Sequence, residues 1–541
     1  MTSGKLIKSV GLLGATLLVL LVGACGSSDE APIAPKPAPK ATAAPQATST
    51  PAPTVDPEAK KYGGVLRYAF GSTPGRMEPI LAKAVDKEFM QPIYGVLVRV
   101  SPEYAQEPQL AKSWEFTSGG TEIVLNLADA TFHDGSSFNA QAVKSALDAI
   151  KDPDNSSLSA SVLKPLKRID IIDAKTIKLV LEKPDAVLFP NLGDVPGMIP
   201  SREAMRTTTL DAFNLNPVGA GCFKFKELIS DSSMKLERWD KCFDPARPYL
   251  DGLTIRIIND QAVQLANFRS GDIDAFRLAA DQVSLLEGAE GTTLQKADQP
   301  SFSYFAVHRN MEPTDDVRVR KAISHAIDRE AMVAGILDGE GVPIYGPIVP
   351  AHGWAWDPTY KKYEYNVAKA KALLADAGLA DGFTLGPTVW YGEQAALPRM
   401  NAYADMLSKV GIKLDLLMMK SRESSKGYQV NGKYAAYSSG LSGSTDIDRM
   451  LSNHFYSTAR RNVGKTVTPG LDEVLDKARG TFDLAERAKW YKQAQDLIVE
   501  NMLEIFVYAQ KLSLATNDSV QDWEFFPEEG GQNYFEIWLE K

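Results

Sequence analysis

From residue 62 to the C-terminus, alternating and helical hydrophobic patterns interleave, which restricts the chain to an α/β fold with more than one sheet. Val65–Phe70 alternates as a strand, and so do Glu122–Leu127, 168–172 and Thr176–Leu181, the last two joined by a turn at 173–175. Residues 222–228 and 234–239 flank the polar run 230–233 as a hairpin, and 253–258 and Ile412–Leu417 complete the clearer strands. Helices intervene. After Asn139, a cap, Val143, Ala146, Leu147 and Ile150 fall at i, i+3, i+4 and i+7. Asn366 starts another, with Val367, Ala370, Leu374 and Ala377 inward and Gly378 as terminator. Ala322, Ile323, Ala326 and Ile327 form a stripe, and Asp328 caps the helix that follows. Leu471, Val474, Leu475 and Ala478 line one late helix, and Asp483 caps a longer one through Trp490, Leu497 and Ile498. Single cores stop growing near roughly 250–300 residues, so 541 residues divide into more than one lobe.

The N-terminus is written for export. Lys5 and Lys8 precede an apolar run from Leu12 to Val22, and small residues, Gly23 and Ala24, precede Cys25. The run is short for a membrane span, which needs about 20 apolar residues. Small residues ahead of a cysteine are similar to the bacterial lipobox, so 1–24 is expected to be a removed signal and Cys25 the lipidated residue. An ordinary signal peptide or an uncleaved anchor are the alternatives. A lipid-anchored Ala/Pro-rich linker, 25–61, follows. Eight prolines and nine alanines within 26–61 cannot bury enough apolar surface to offset their ordering entropy. Its reach lies between roughly 35 Å as a coil and roughly 110 Å as polyproline. Without 1–24 the chain carries 57 basic against 68 acidic residues, a net charge of −11, which disfavours nucleic acid and anionic lipid surfaces as partners. The expected location is extracytoplasmic, in a periplasm or on the outer face of the cytoplasmic membrane.

No enzymatic or metal pattern emerges. Residues 459–466 are similar to a phosphate loop, but Ala459 stands where the first glycine belongs and no apolar strand leads in, so an exposed basic loop is expected. The five histidines (133, 308, 325, 352, 454) are scattered, without HExxH or CxxC, and neither metal nor cofactor is expected. His133 and His325 read as structural. Asp446 and Asp448 stand two apart in a loop, where carboxylates usually cap helices; nothing pairs them with a nucleophile.

In order, several segments resemble the family 5 extracellular solute-binding proteins, the oligopeptide, dipeptide and nickel binders of ABC importers. Gly63-Gly64-Val65-Leu66-Arg67-Tyr68 resembles the family's first strand, and Leu110-Ala111-Lys112-Ser113-Trp114-Glu115 its LAxSWE segment. Phe132-His133-Asp134-Gly135 with Phe138-Asn139-Ala140 and Val143, then Pro217-Val218-Gly219-Ala220-Gly221, are similar to further family motifs. Gly271-Asp272-Ile273-Asp274, the runs 317–323 and 326–330, and finally 369–378 complete the series. The resemblance implies a two-lobed, periplasmic-binding-protein-like α/β fold with hinge strands and an extra subdomain in lobe I. Lobe I would be 62–302 with a subdomain near 99–199, lobe II 303–504, and 505–541 would return to lobe I. It also implies a substrate-binding lipoprotein, expected to be monomeric, that closes on a small organic ligand and delivers it to an ABC permease. An extracytoplasmic hydrolase, or a surface chaperone or adhesin on the same fold, is the alternative.

Departures from the family bear on the ligand. Peptide-binding members carry an aspartate for the peptide amine where this chain has Ser442-Gly443-Ser444, so the anionic anchor is missing and a carboxylate-bearing ligand competes with a peptide-like one. Trp390 and Tyr391, at a strand end, are candidate pocket walls. Ser442, Gly443 and Ser444 offer hydroxyl and backbone donors. Phe276, Arg277, Arg76 and Arg399 are further candidates, because a cleft arginine binds a carboxylate bidentately. The aromatic loop with Trp354 and Trp356 ranks lower. Cys222 and Cys242 replace other residues of the family, and the hairpin brings them close; in an oxidising compartment a disulfide is expected.

Overall fold

The structure is a computed structural model that describes residues 58–541 apart from 102, 392, 442, 444, 445 and 527–531. Residues 1–24, Cys25 and most of the linker therefore lie outside the described residues, as do Ser442 and Ser444.

The caps act where the sequence places them. Asn139 Oδ1 accepts from the Ala142 amide at 3.0 Å and opens the helix Ala140–Lys151, whose Val143, Leu147 and Ile150 are buried. Asn366, Asp328 and Asp483 accept likewise from the amides of Lys369, Ala331 and Glu486, each cap contributing about 1 kcal/mol. In the strand Glu122–Leu127, Ile123, Leu125 and Leu127 are fully buried on one face, as the period-two pattern requires. That strand sits inside an antiparallel sheet with Ala111–Thr117, Thr176–Leu181 and Leu166–Ile171. The helix Ala140–Lys151 covers this sheet, and together they form one core, the subdomain.

More than one sheet is present, as expected, and the largest of them spans both lobes. Counted over the described residues it has eleven strands, and it is continuous through both lobes. In lobe I, Val65–Phe70 pairs in parallel with Gly252–Ile257 and Ala275–Leu278, and Ser233–Arg238 and Phe223–Ile229 extend the edge. In lobe II, Phe383–Trp390 pairs in parallel with Ile412–Leu417 and Ala436–Leu441. Two antiparallel strands, Thr292–Val307 and Ile505–Asn517, join these halves. At 16 and 13 residues, and about 3.3 Å per residue, they are long enough to cross from one lobe to the other. Their register shifts between Asp298 and Phe302 and again between Ser303 and Tyr304. Bulges bend a strand. Here they coincide with a change of core: Leu294 and Ala297 pack with lobe I, whereas Phe302, Tyr304 and Phe305 belong to lobe II. The chain end returns, with Trp523, Phe525, Tyr534 and Ile537 packed in the lobe I core.

The Phe223–Ile229 hairpin brings Cys222 and Cys242 together. The Trp239 amide donates to Cys222 O at 2.9 Å, and a disulfide joins the cysteines with Cα atoms 4.8 Å apart. No helix among the described residues is long and apolar enough to cross a membrane.

Candidate functional site

A cavity of about 840 Å³ opens where the lobes face each other. Its lobe I wall holds Lys87, Leu158, Ser161 and Asp194. Lobe II supplies the rest, most of it from three elements. Alternation along the strand Ala436–Leu441 turns Tyr437, Ser439 and Leu441 to the cavity. The helix Ile447–Phe455 presents Met450, Asn453 and His454 at i, i+3 and i+4. The turn after it contributes Arg460 and Arg461. A second chamber of about 610 Å³ shares Ser161, Arg449 and Asn453 with the first and lengthens the cleft between the subdomain and lobe II.

Two apolar side chains on this surface are exposed: Leu158 at 62% and Tyr391 at 51%. Such groups gain from contact with an organic guest. The charge balance is lopsided. Asp194 is the one carboxylate among the described lining residues, against Lys87, Arg449, Arg460 and Arg461. Asp194 is also neutralised, lying 3.5 Å from Lys87 Nζ and 3.4 Å from Arg449 Nη1. Burial alone would raise its pKa, but those two cations outweigh burial and hold it below the ordinary carboxylate range. On the floor, Arg461 Nη1 donates to His454 Nε2 at 3.2 Å, which leaves the ring proton on Nδ1, toward Glu504 Oε1 at 3.5 Å.

Beside the cavity the lobes are pinned together. Tyr104, on the loop between Val98–Val100 and Gln106–Pro108, reaches out of lobe I and is only 5% exposed. Its ring stacks on Trp354 at 5.6 Å, and its hydroxyl donates to Asp446 and accepts from Arg487 at 3.3 Å. Phe116 meets Phe482 at 5.1 Å, and the Ala186 amide donates to Arg479 O at 2.8 Å. Asp446 and Asp448 are structural. Asp446 caps the helix Ile447–Phe455 and pairs with Arg487 at 2.9 Å, while Asp448 pairs with Arg479 at 2.6 Å.

The expected site residues scatter. Tyr391 and Gly443 line the cavity, and the Gly443 amide donates to Ser301 Oγ at 3.2 Å. Trp390 does not, because strand alternation turns it into the lobe II core at 2% exposure. Phe276 is fully buried in a lobe I core. Arg277 lies against Glu88 at 3.2 Å and over the Phe70 ring, away from the cavity. Arg76 pairs with Asp211 at 3.1 Å on the surface. Arg399 lies behind the cavity wall, its Nη2 3.4 Å from Tyr391 O. Trp354 and Trp356 pack on the lobe II core. Of the remaining histidines, His133 Nε2 donates to Gly221 O at 2.9 Å and His325 Nδ1 lies 2.6 Å from Glu364 O, both packing roles. Sequence reasoning missed Arg449, Arg460, Arg461, His454, Lys87 and Asp194. Only the 459–466 loop carried a signal, its unneutralised basic run.

Comparison with known proteins agrees with this architecture. The model of "Bacterial extracellular solute-binding proteins, family 5 Middle" matches residues 105–462, more than half of the chain. The glutathione-binding protein GsiB of Pectobacterium atrosepticum is 27% identical over 490 residues, covering 85% of this chain and 91% of that protein. Among solved structures, the binding protein AgaA of A. tumefaciens R10 in complex with agropinic acid superposes with a TM-score of 0.75 at 26% identity, covering 88% of this chain and 99% of that one. The ABC transporter substrate binding protein CtaP of Listeria monocytogenes gives a TM-score of 0.79 at 22% identity, covering 89% and 100%.

Proposed function

We propose, on the premise that this chain belongs to the bacterial extracellular solute-binding proteins of family 5, that it captures a small organic solute between its lobes and hands it to an ABC permease. The observation that carries this reading is the cavity of about 840 Å³ enclosed by side chains of both lobes. A guest touching both walls stabilises the closed arrangement relative to the open one, and the permease reads the closed shape. In this reading the lobes divide near 302/303 and 504/505, where the bulged hinge strands change core. A lipid on Cys25 and the 25–61 linker would hold a monomer at the outer side of the membrane.

The guest is peptide-like or carboxylate-bearing. Support comes from the cationic lining and from the missing peptide-amine anchor at 442–444. GsiB is named for glutathione and AgaA was solved with agropinic acid, both acidic organic molecules. No catalysis is proposed: Asp446 and Asp448 are engaged by arginines and by the helix cap.

The test is native mass spectrometry of freshly purified protein, followed by readdition of any released molecule while tryptophan emission and radius of gyration are recorded. A bound small molecule that quenches emission and compacts the protein is expected. Absence of response across peptides, sugars and organic acids would refute the reading.

A further inference from the structure

The basic loop singled out in the sequence and the short helix facing it form a side chamber of about 400 Å³ at the cleft. Its walls are Arg422, Lys426, Arg460 and Arg461, with Ser425 and Gln429 between them, and no carboxylate among the described lining residues. Ser425, Gln429, Arg460 and Arg461 also line the main cavity, so the two spaces are continuous. All four cationic side chains are solvent-exposed, and Arg422, Lys426 and Arg460 have no ion pair among the described residues.

This arrangement is costly for the empty protein. Arg422 and Lys426 stand at i and i+4 on one helical segment, where like charges repel. Arg460 and Arg461 are sequence neighbours held in place by a buried frame. Arg309 donates to Asn462 Oδ1 at 2.7 Å and to Val463 O at 2.6 Å, and Asn462 in turn donates to Thr466 O at 2.8 Å. This frame fixes the backbone from which Arg460 and Arg461 project. The cations are gathered, moreover, on a protein whose net charge is −9, so the field in the cleft runs opposite to that of the whole surface.

We infer that this chamber is an anion subsite: the guest carries, besides the part enclosed in the main cavity, an acidic group that Arg422, Lys426, Arg460 and Arg461 bind. The inference rests on the solute-binding reading above and names the class of solute, a molecule that carries an acidic group outside the part the main cavity encloses. Guanidinium groups take carboxylate and phosphate alike through paired N–H donors, so the shared chemistry is an oxyanion.

The test uses the full chain and the double variant Arg422→Gln/Lys426→Gln, whose positions lie outside the main cavity lining. Calorimetric titration is run with tricarballylate and γ-glutamylglycine as carboxylate probes, phosphoglycolate as phosphate probe, maltose as neutral probe, and any molecule released in native mass spectrometry. At least one acidic compound is expected to bind the wild type and to bind the double variant at least tenfold more weakly, with a shallower dependence on salt. Whether that compound is a carboxylate or a phosphate identifies the oxyanion. Binding of acidic compounds that is undiminished in the double variant, or binding of uncharged guests alone, overturns the subsite and leaves the solute-binding reading standing. If nothing copurifies and nothing binds the wild type, the reading itself falls, and the subsite with it.

Discussion

Replacing Tyr104 by alanine should loosen the closed state without harming either lobe. The side chain leaves lobe I on a hairpin loop and is buried against Trp354 and the Asp446–Arg487 pair of lobe II. If the lobes part, the ring moves into water while Asp446 and Arg487 keep each other. An aromatic side chain buries about 150–250 Å², which at about 25 cal/mol per Å² is worth about 4 kcal/mol. Water that refills the slot between Trp354 and Arg487 recovers part of this, so about 3 kcal/mol of closure should be lost. Because every 1.4 kcal/mol is tenfold, the guest's Kd should rise about 100-fold. Tyr104→Phe keeps the stack and loses the hydroxyl's hydrogen bonds to Asp446 and from Arg487; the one to Asp446 alone is worth about 1.5 kcal/mol, hence at least about tenfold. Titration calorimetry with the guest recovered from the protein gives the Kd values, and small-angle scattering of the liganded variants gives the open fraction. A Tyr104→Ala protein with unchanged affinity and a lowered melting temperature would show that the contact belongs to the permanent fold, and the closure argument would be wrong.

Breaking the Cys222–Cys242 bridge with paired serines reopens a 20-residue loop and should cost about 3 kcal/mol by loop-closure entropy, read as a drop in Tm that reducing agent reproduces in the wild type. His133 gives an acid-sensitivity prediction. Burial pushes its pKa down to about 4, so between about 6.5 and 4 the unfolded chain takes up a proton that the folded one refuses. Stability tied to this group is complete above pH 6.5 and declines by about 3 kcal/mol as pH falls to 4; Tm measured from pH 4 to 7 should flatten in His133→Gln. A Cβ at Gly221 would strike the carbonyl oxygen of Pro92, which is backbone and cannot step aside, so Gly221→Ala should destabilise lobe I by about 1–3 kcal/mol, measured by chemical denaturation.

Much of the architecture was legible because local rules dictate it. The capping residues Asn139, Asn366, Asp328 and Asp483 each bond the amide three residues on, so the helix starts follow from neighbouring residues alone. The hairpin that brings Cys222 to Cys242 is equally short-ranged. Strand alternation located Tyr391 at a strand end, yet the same alternation makes Trp390 core, and only knowing which face meets the cleft separates them.

What the amino-acid order determined by itself was therefore the α/β class, the clearer strands, several helix starts, and the family, since these depend on patterns within a few residues or on motifs kept in register. What tertiary structure decided was the cleft. Lys87, Asp194, Tyr391, Arg449 and Arg461 are drawn from a span that runs from residue 87 to residue 461, and none has a local pattern that distinguishes it from a solvated surface residue. The hinge strands were implied by the family resemblance, but the pairing of Thr292–Val307 with Ile505–Asn517 into one sheet was not legible, because strand pairing is chosen by partners about 200 residues away and not by the strand's own composition. Charge clusters such as Arg422, Lys426, Arg460 and Arg461 acquire meaning only when folding places their side chains around one space.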